Sequence, residues 1–406
     1  MAKIVRAKVK PEIMIWARKI EGFTITLAAN RLKVPEAKLL AWEEGLSSPT
    51  IGQLQKMASI YRRPLSVFYL QEAPRTFSVM RDFRRLPGTE MSQVSPDLAY
   101  EIRMARQRRA LALELLEETK TIPQEFLLSA SLDEDPEKVG NRIRYELNVK
   151  VEEQKVWRTD PHGYKALNAW REKIENQGVL IFKMNHTTSE EVSGFAIADV
   201  ILPTIGITQT DTPPTRRIFS ILHEFAHLLL RQSGISDLDV DASRPPEDQR
   251  IEVFCNHVAA AVLIPKESLI AEKLLRENNF GKEDWPDEAI KQLALNYSVS
   301  REAFVRRLLT FDLVNRDFYE KKRTQYNEEY QQKKQIERER AKLEGRKIVK
   351  FPARDAINQL GRPLVGMILD SYYRDRLSLS DVSGFLGIRT RHLNKLEALV
   401  RAGKRL

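Results

Sequence analysis

Between Arg217 and Leu230 runs an apolar stretch, Arg-Ile-Phe-Ser-Ile-Leu-His-Glu-Phe-Ala-His-Leu-Leu-Leu, interrupted near its middle by two histidines and a glutamate. A helix of this composition is buried, and buried titratable groups need partners. The spacing supplies one. Four residues apart on a helix, His223 and His227 lie one above the other on one face, so both imidazoles reach a single ion. Glu224, rotated by about 100°, touches only what that ion holds. Metal-assisted peptide hydrolysis needs this H-E-x-x-H arrangement. Two neutral imidazoles and a third ligand leave one position open on a zinc ion, and the glutamate takes the proton of the water that attacks the carbonyl. The plainer alternative is two chance histidines on a buried helix.

A third ligand is required. The metzincin extension places a turn-forming Gly at position 230 and a ligand His at 233; here these are Leu230 and Ser233, which excludes that class. Beyond Pro245-Pro246 a second helix begins with Glu247 and Asp248, acids that the helix dipole favours at an N-terminus. It carries Glu252 in otherwise apolar surroundings, Asn256 one turn later on the same face, and small Ala259 and Ala260 that allow close packing. Glu252 is the expected third ligand and Asn256 a group that orients a ligand. His257 and the loop acids Asp237, Asp239 and Asp241 are lesser candidates, and Cys255 reads as inert packing.

With 406 residues and 42% hydrophobic content the chain has material for two or three ordinary domains. A single cysteine excludes an intramolecular disulfide framework, and no long apolar run follows Met1-Ala2-Lys3, so a cytoplasmic protein without membrane partners is expected. The net charge of +10 is uneven. Residues 1–75 carry 13 Lys and Arg against 6 Asp and Glu, and residues 320–406 carry 21 against 11, while the middle is acidic. Basic ends suggest DNA contact there, with plain solvated surface as the alternative.

From Pro11 to about Leu70 apolar residues recur at helical spacing in short segments. Thr24 is placed to cap the second, Pro35 opens the third, and Gly45 closes it. With Arg18, Gly22, Thr24, Ala29, Leu32, Val34, Trp42-Glu43, Gly45, Pro49-Thr50, Leu54 and Ala58, this stretch resembles a lambda-repressor-like (Cro-type, XRE family) helix-turn-helix domain. The resemblance implies DNA contact through residues such as Thr26, Glu36 and Lys38. Ile25 stands where that family often has a DNA-contacting Gln, and Lys33 where Gly is frequent in the turn; protein binding is the competing use of the module.

Residues 74–90 read as a linker containing Met80-Arg81-Asp82-Phe83-Arg84-Arg85. A long helix from about Ser95 follows, whose Arg103, Arg106, Arg108 and Arg109 read as a solvated face. Val179–Met184 reads as a strand, and Val192–Ile207 as two more, the expected sheet edge for a substrate backbone beside the histidine helix. Tyr297, His186 and His257 are possible oxyanion donors. Residues 318–350 read as a charged, solvated spacer helix. The tail from 351 resembles a second helix-turn-helix: Ser378 or Ser380 caps one helix, Gly387-Ile388 is a turn, and Arg389, Arg391, His392 and Lys395 line the next. DNA contact by Arg389, Arg391 and Lys395 competes there with dimerisation, or docking on the peptidase.

Phe219 to His227 paired with Glu252 to Pro265, together with Trp170-Arg171 and Gly194-Phe195-Ala196, resembles the ImmA/IrrE family of metallopeptidases over about residues 160–315. The resemblance implies a zinc ion held by His223, His227 and Glu252, with Glu224 catalytic. It also implies a cytosolic endopeptidase acting on a specific repressor or antitoxin-like protein, encoded by a neighbouring gene, to control transcription in mobile-element or stress responses. A regulator that binds a partner without turnover is the alternative, and a homodimer is possible in either case. The expected fold is mainly α with an α+β zincin-like (gluzincin-like) core. Its expected layout is a five-helix lambda-repressor-like domain (1–73), a linker and helical region (74–158), the peptidase domain (159–317), the spacer helix (318–350) and a small helical domain (351–406).

Overall fold

The computed structural model describes residues 6–74, 80–83, 94–158, 160, 163–210, 212–236, 244–277, 280–343 and 351–403. The chain divides into two compact units, Met1–Met80 with Gly88–Met104, and Arg81–Pro87 with Ala105–Leu406.

The first unit begins with α-helices Pro11–Ile20, Ile25–Leu32, Glu36–Glu43 and Ile51–Ile60. Where a fifth helix is expected, Leu65–Tyr69 forms only a short 3-10 helix. Thr24 caps the second helix by accepting from the Leu27 amide at 3.2 Å, and Lys33 takes a left-handed conformation with φ of 58° in the turn that follows. Tyr61, Trp42 and Phe68 are buried at its centre. Arg18 donates to both carboxylate oxygens of buried Glu43 at 2.7 and 2.8 Å. Thr26, Glu36 and Lys38 are exposed.

The second unit holds the five strands β1 (Arg81–Asp82), β2 (Leu180–Thr188), β3 (Gly194–Ile197), β4 (Thr204–Thr210) and β5 (Gly234–Ser236), in the order β1-β5-β3-β4-β2. β2 lies parallel to β4, β3 antiparallel to both β4 and β5, and β1 parallel to β5. The stretch Val192–Ile207 is therefore not a free edge: Gly194 pairs with Ile207 on one side and with Ser236 on the other. Two strands of two and three residues cover it, too short to display an alternating pattern in sequence.

Against this sheet lies the histidine helix, Pro214–Leu229, and the glutamate helix, Pro246–Leu263, packs in turn on the histidine helix and on the helix Pro136–Glu146. Ile218, Ile221, Leu222, Phe225 and Leu228 share one core with Ile205 and Ile207 of β4 and with Cys255, Val258, Ala259 and Val262. A helix leaves its last carbonyls without internal partners. In the glutamate helix, side chains from other elements satisfy them. Arg144 donates to Val262 O at 2.7 Å, Gln154 to Leu263 O at 3.0 Å, and Arg307 to Ile264 O, just beyond the helix, at 2.9 Å. Arg307 also grips Glu137 through both carboxylate oxygens, at 2.6 and 2.7 Å. Burial pushes Glu137 up, but His257 and Arg307 outweigh it and hold the carboxyl at about 2.

Several arginines expected in solvent are engaged. In the helix Pro96–Glu118, Arg109 donates to Ile201 O at 2.8 Å and Leu202 O at 3.1 Å, because that loop presents carbonyls with no strand partner. The charge-dense helix spans Arg316–Leu343, and its first half is packed rather than solvated. Phe318, Tyr319 and Tyr326 are buried on the core, with Arg301 and Glu329 paired beside them at 2.5 Å. Beyond it, helix Pro352–Leu360 packs along β2, where Arg171 donates to Asn358 O at 2.6 Å. Ser378 caps helix Leu379–Leu386, Gly387 takes φ of 63°, and Arg389, Arg391 and Lys395 are exposed. No described helix is long and apolar enough to cross a membrane.

Removing Arg307 leaves Glu137 with His257 alone and strands the Ile264 carbonyl at the end of the glutamate helix. Arg307→Ala is expected to cost about 3–5 kcal/mol in denaturant unfolding; an unchanged midpoint contradicts this account of how that helix is held.

Candidate metal centre

His223 and His227 point from the histidine helix toward Glu252 on the glutamate helix. His223 Nε2 and His227 Nε2 are 3.1 Å apart, His227 Nε2 and Glu252 Oε1 3.1 Å, and His223 Nε2 and Glu252 Oε2 3.4 Å. Ligand bonds of about 2.0–2.1 Å in a tetrahedron place neighbouring donor atoms roughly 3.3–3.4 Å apart, so the triangle has the size such an ion demands. Among the described residues this buried His-His-Glu group is the one able to hold a metal ion. The chemistry of the donors agrees. Asn256 Oδ1 accepts from His223 Nδ1 at 3.0 Å, which fixes the tautomer and leaves the Nε2 lone pair for an ion.

Electrostatics without an ion point the same way. Burial pushes Glu252 up, yet the attraction and hydrogen bonds of His223 and His227 hold it at about 2. Burial works against a charge on His223, but the Glu252 carboxylate outweighs this and raises its pKa, while His227 is lowered, first by burial. Glu224 is raised to about 8, first by burial and then by the Glu252 charge, with His223 acting in the opposite direction. The Ser236 hydroxyl also acts to lower it, but neither carboxylate oxygen has a hydrogen-bond partner of good geometry among the described residues. A buried carboxyl left without a partner is costly, and the raised pKa shows how burial favours its neutral form in the metal-free cluster.

Glu224 fits because β3 runs past it without a side chain. A Cβ on Gly194 would lie 2.8 Å from Glu224 Oε1 and 2.9 Å from its Cγ. Two features of the wall were not legible in sequence. Ser236 of β5 places Oγ 3.3 Å from His227 Nε2. The Phe83 ring stacks on His227, with centroids 5.0 Å apart and planes 25° from parallel. Nothing in the spacing of a linker or of a three-residue strand announces either.

The remaining candidates fall elsewhere. His257 Nε2 lies 2.8 Å from Glu137 Oε1, and the Tyr297 hydroxyl donates to Glu272 at 2.9 Å with Ser268 at 2.9 Å, so both are committed away from the cluster. His186 sits on β2, which β4 separates from β3. Burial raises the Cys255 thiol well above its ordinary value, in keeping with inert packing. Asp237, Asp239 and Asp241 lie outside the described residues.

A metal ion must displace whatever proton His223 carries against Glu252. With the His223 pKa raised above 6.5, metal affinity is expected to rise with pH above 6.5 until His223 is neutral in the metal-free chain. Calorimetry near pH 7 in two buffers of different ionisation heat is expected to read about one proton released per ion bound; no release contradicts the paired state.

No curated protein and no solved structure matches the chain. The peptidase M78 family model, described as the IrrE N-terminal-like domain, matches residues 174–309, a stretch of about a third of the chain that contains His223, Glu224, His227, Glu252 and Asn256; the match supports the ImmA/IrrE resemblance and a peptidase in this stretch.

Proposed function

We propose that the second unit carries a zinc-dependent endopeptidase site that cuts a specific regulatory protein. The observation that carries this reading is the convergence of two imidazoles and one carboxylate at ligand-to-ligand distances of 3.1–3.4 Å, with Glu224 unpartnered beside them. His223, His227 and Glu252 would hold the ion, in the pattern called gluzincin-like. A zinc ion supplies Lewis-acid polarisation of the peptide carbonyl and lowers the pKa of water at its open position. Glu224 accepts the proton from the attacking water and delivers it to the leaving amine, which balances the hydrolysis. Asn256 keeps His223 oriented, and Gly194 keeps space for Glu224.

The regulatory setting rests on the resemblance. A repressor or antitoxin-like substrate, encoded by a neighbouring gene, is the expected target. The first unit, with Thr26, Glu36 and Lys38 exposed, and the tail, with Arg389, Arg391 and Lys395 exposed, are candidates for DNA or partner contact. The second reading, a regulator that binds a partner without turnover, has one observation in its favour: His223, Glu224, His227 and Glu252 are all no more than 1% exposed, so the cluster is closed to a polypeptide as it stands.

Glu224→Gln is expected to keep one zinc per chain and to lower cleavage of the partner protein by about 10²-fold or more, while Glu252→Gln loses the metal. Gly194→Ala should resemble Glu224→Gln, since it displaces the carboxylate and leaves the ligands in place. A Glu224→Gln protein that cuts as well as the wild type would remove Glu224 from the mechanism. A stable uncut complex of the wild type with its partner favours the second reading.

A further inference from the structure

The cluster is closed by the chain itself. Arg81 and Asp82 form β1, laid parallel along β5, and the next residue continues the pairing: the Phe83 amide donates to Ile235 O at 2.9 Å. Phe83 O accepts from Arg244 Nε at 2.6 Å. Its ring enters a slot over His227 that exists because residue 234 is glycine; a Cβ there would overlap the ring. Arg81 lies at the rim, paired with Asp248 at 2.5 Å and Glu247 at 3.4 Å, both in the first turn of the glutamate helix. In sequence this segment is flanked on both sides by residues of the first unit, yet it belongs to the second.

An extended backbone added to a sheet edge, an aromatic side chain in a fitted slot and a cation on an acidic rim are together the means by which a peptide is recognised by strand addition. We propose that Arg81-Asp82-Phe83 is an internal occupant of the peptide-binding edge. The partner that the site accepts is an extended protein segment of the same chemistry, with an arginine and an aromatic residue two positions later. It enters by replacing the chain's own segment. Gly234 and His227 set the preference for the aromatic residue, and Asp248 and Glu247 the preference for the cation. The closed state is then the resting state. Cleavage of the bound segment rests on the endopeptidase reading, but binding itself requires no turnover.

The test uses the full chain in its Glu224→Gln form and a fluorescently labelled hexapeptide, Met-Arg-Asp-Phe-Arg-Arg, read by anisotropy. Adding Phe83→Ala vacates the slot and is expected to tighten peptide binding at least ten-fold. A peptide with Phe replaced by Ala is expected to bind at least ten-fold more weakly to the Phe83→Ala protein. Circular dichroism checks that each variant is folded, and Arg81→Ala, which keeps the rim acids and the slot, serves in place of Phe83→Ala if that variant unfolds. Failure of the peptide to bind any folded variant, or equal binding of the Phe-to-Ala peptide, overturns the proposal and leaves the metal chemistry untouched. Tight, Phe-dependent binding in a protein that cuts no partner in its Glu224 form supports it while removing the peptidase reading.

Discussion

Everything at the centre of this chain depends on three buried atoms brought within a few ångströms of one another. Two imidazole nitrogens at 3.1 Å repel when both present lone pairs, and a carboxylate beside them needs a counter-charge. Without an ion, a proton on His223, favoured by the Glu252 carboxylate, supplies it. A cation is the better solution, since it satisfies all three donors at once. The surroundings hold the donors in this costly proximity: Asn256 orients His223, and Arg144, Gln154 and Arg307 anchor the end of the glutamate helix through its carbonyls. The site is thus rigid on the side of the ligands.

On the other side the wall is made of short pieces. β1 and β5 contribute two and three residues, held by their pairing, by Phe83 in its slot and by Arg81 on Asp248. Such segments open at lower free energy than core helices do. The contrast sets the ligands on long packed helices and the proposed peptide edge on short strands.

The parts of the site that were legible in sequence are those written in helical periodicity. His223 and His227, and Glu252 and Asn256, are each four residues apart, so each pair must share a face, and an apolar helix leaves charged residues little alternative to one another. Phe83, Gly234 and Ser236 were not legible. Their neighbours are set by pairing between segments distant in sequence, and strands this short carry no period. The same reason explains why Val192–Ile207 reads as an edge and proves to be interior. The first unit was legible through its caps and breaks, except that the fifth helix is only the short 3-10 turn Leu65–Tyr69. Composition misled for the helix Arg316–Leu343: its many charges hide Phe318, Tyr319 and Tyr326, which are enough to dock its first half.

The central claim concerns which atoms hold an ion. X-ray absorption at the zinc edge on the zinc-loaded full chain tests it directly. The expected first shell is nitrogen and oxygen only, at about 2.0–2.1 Å, with four ligands and two imidazole signatures. A sulfur scatterer at about 2.3 Å, which could come only from Cys255 or a methionine, or a shell without imidazole, would contradict it.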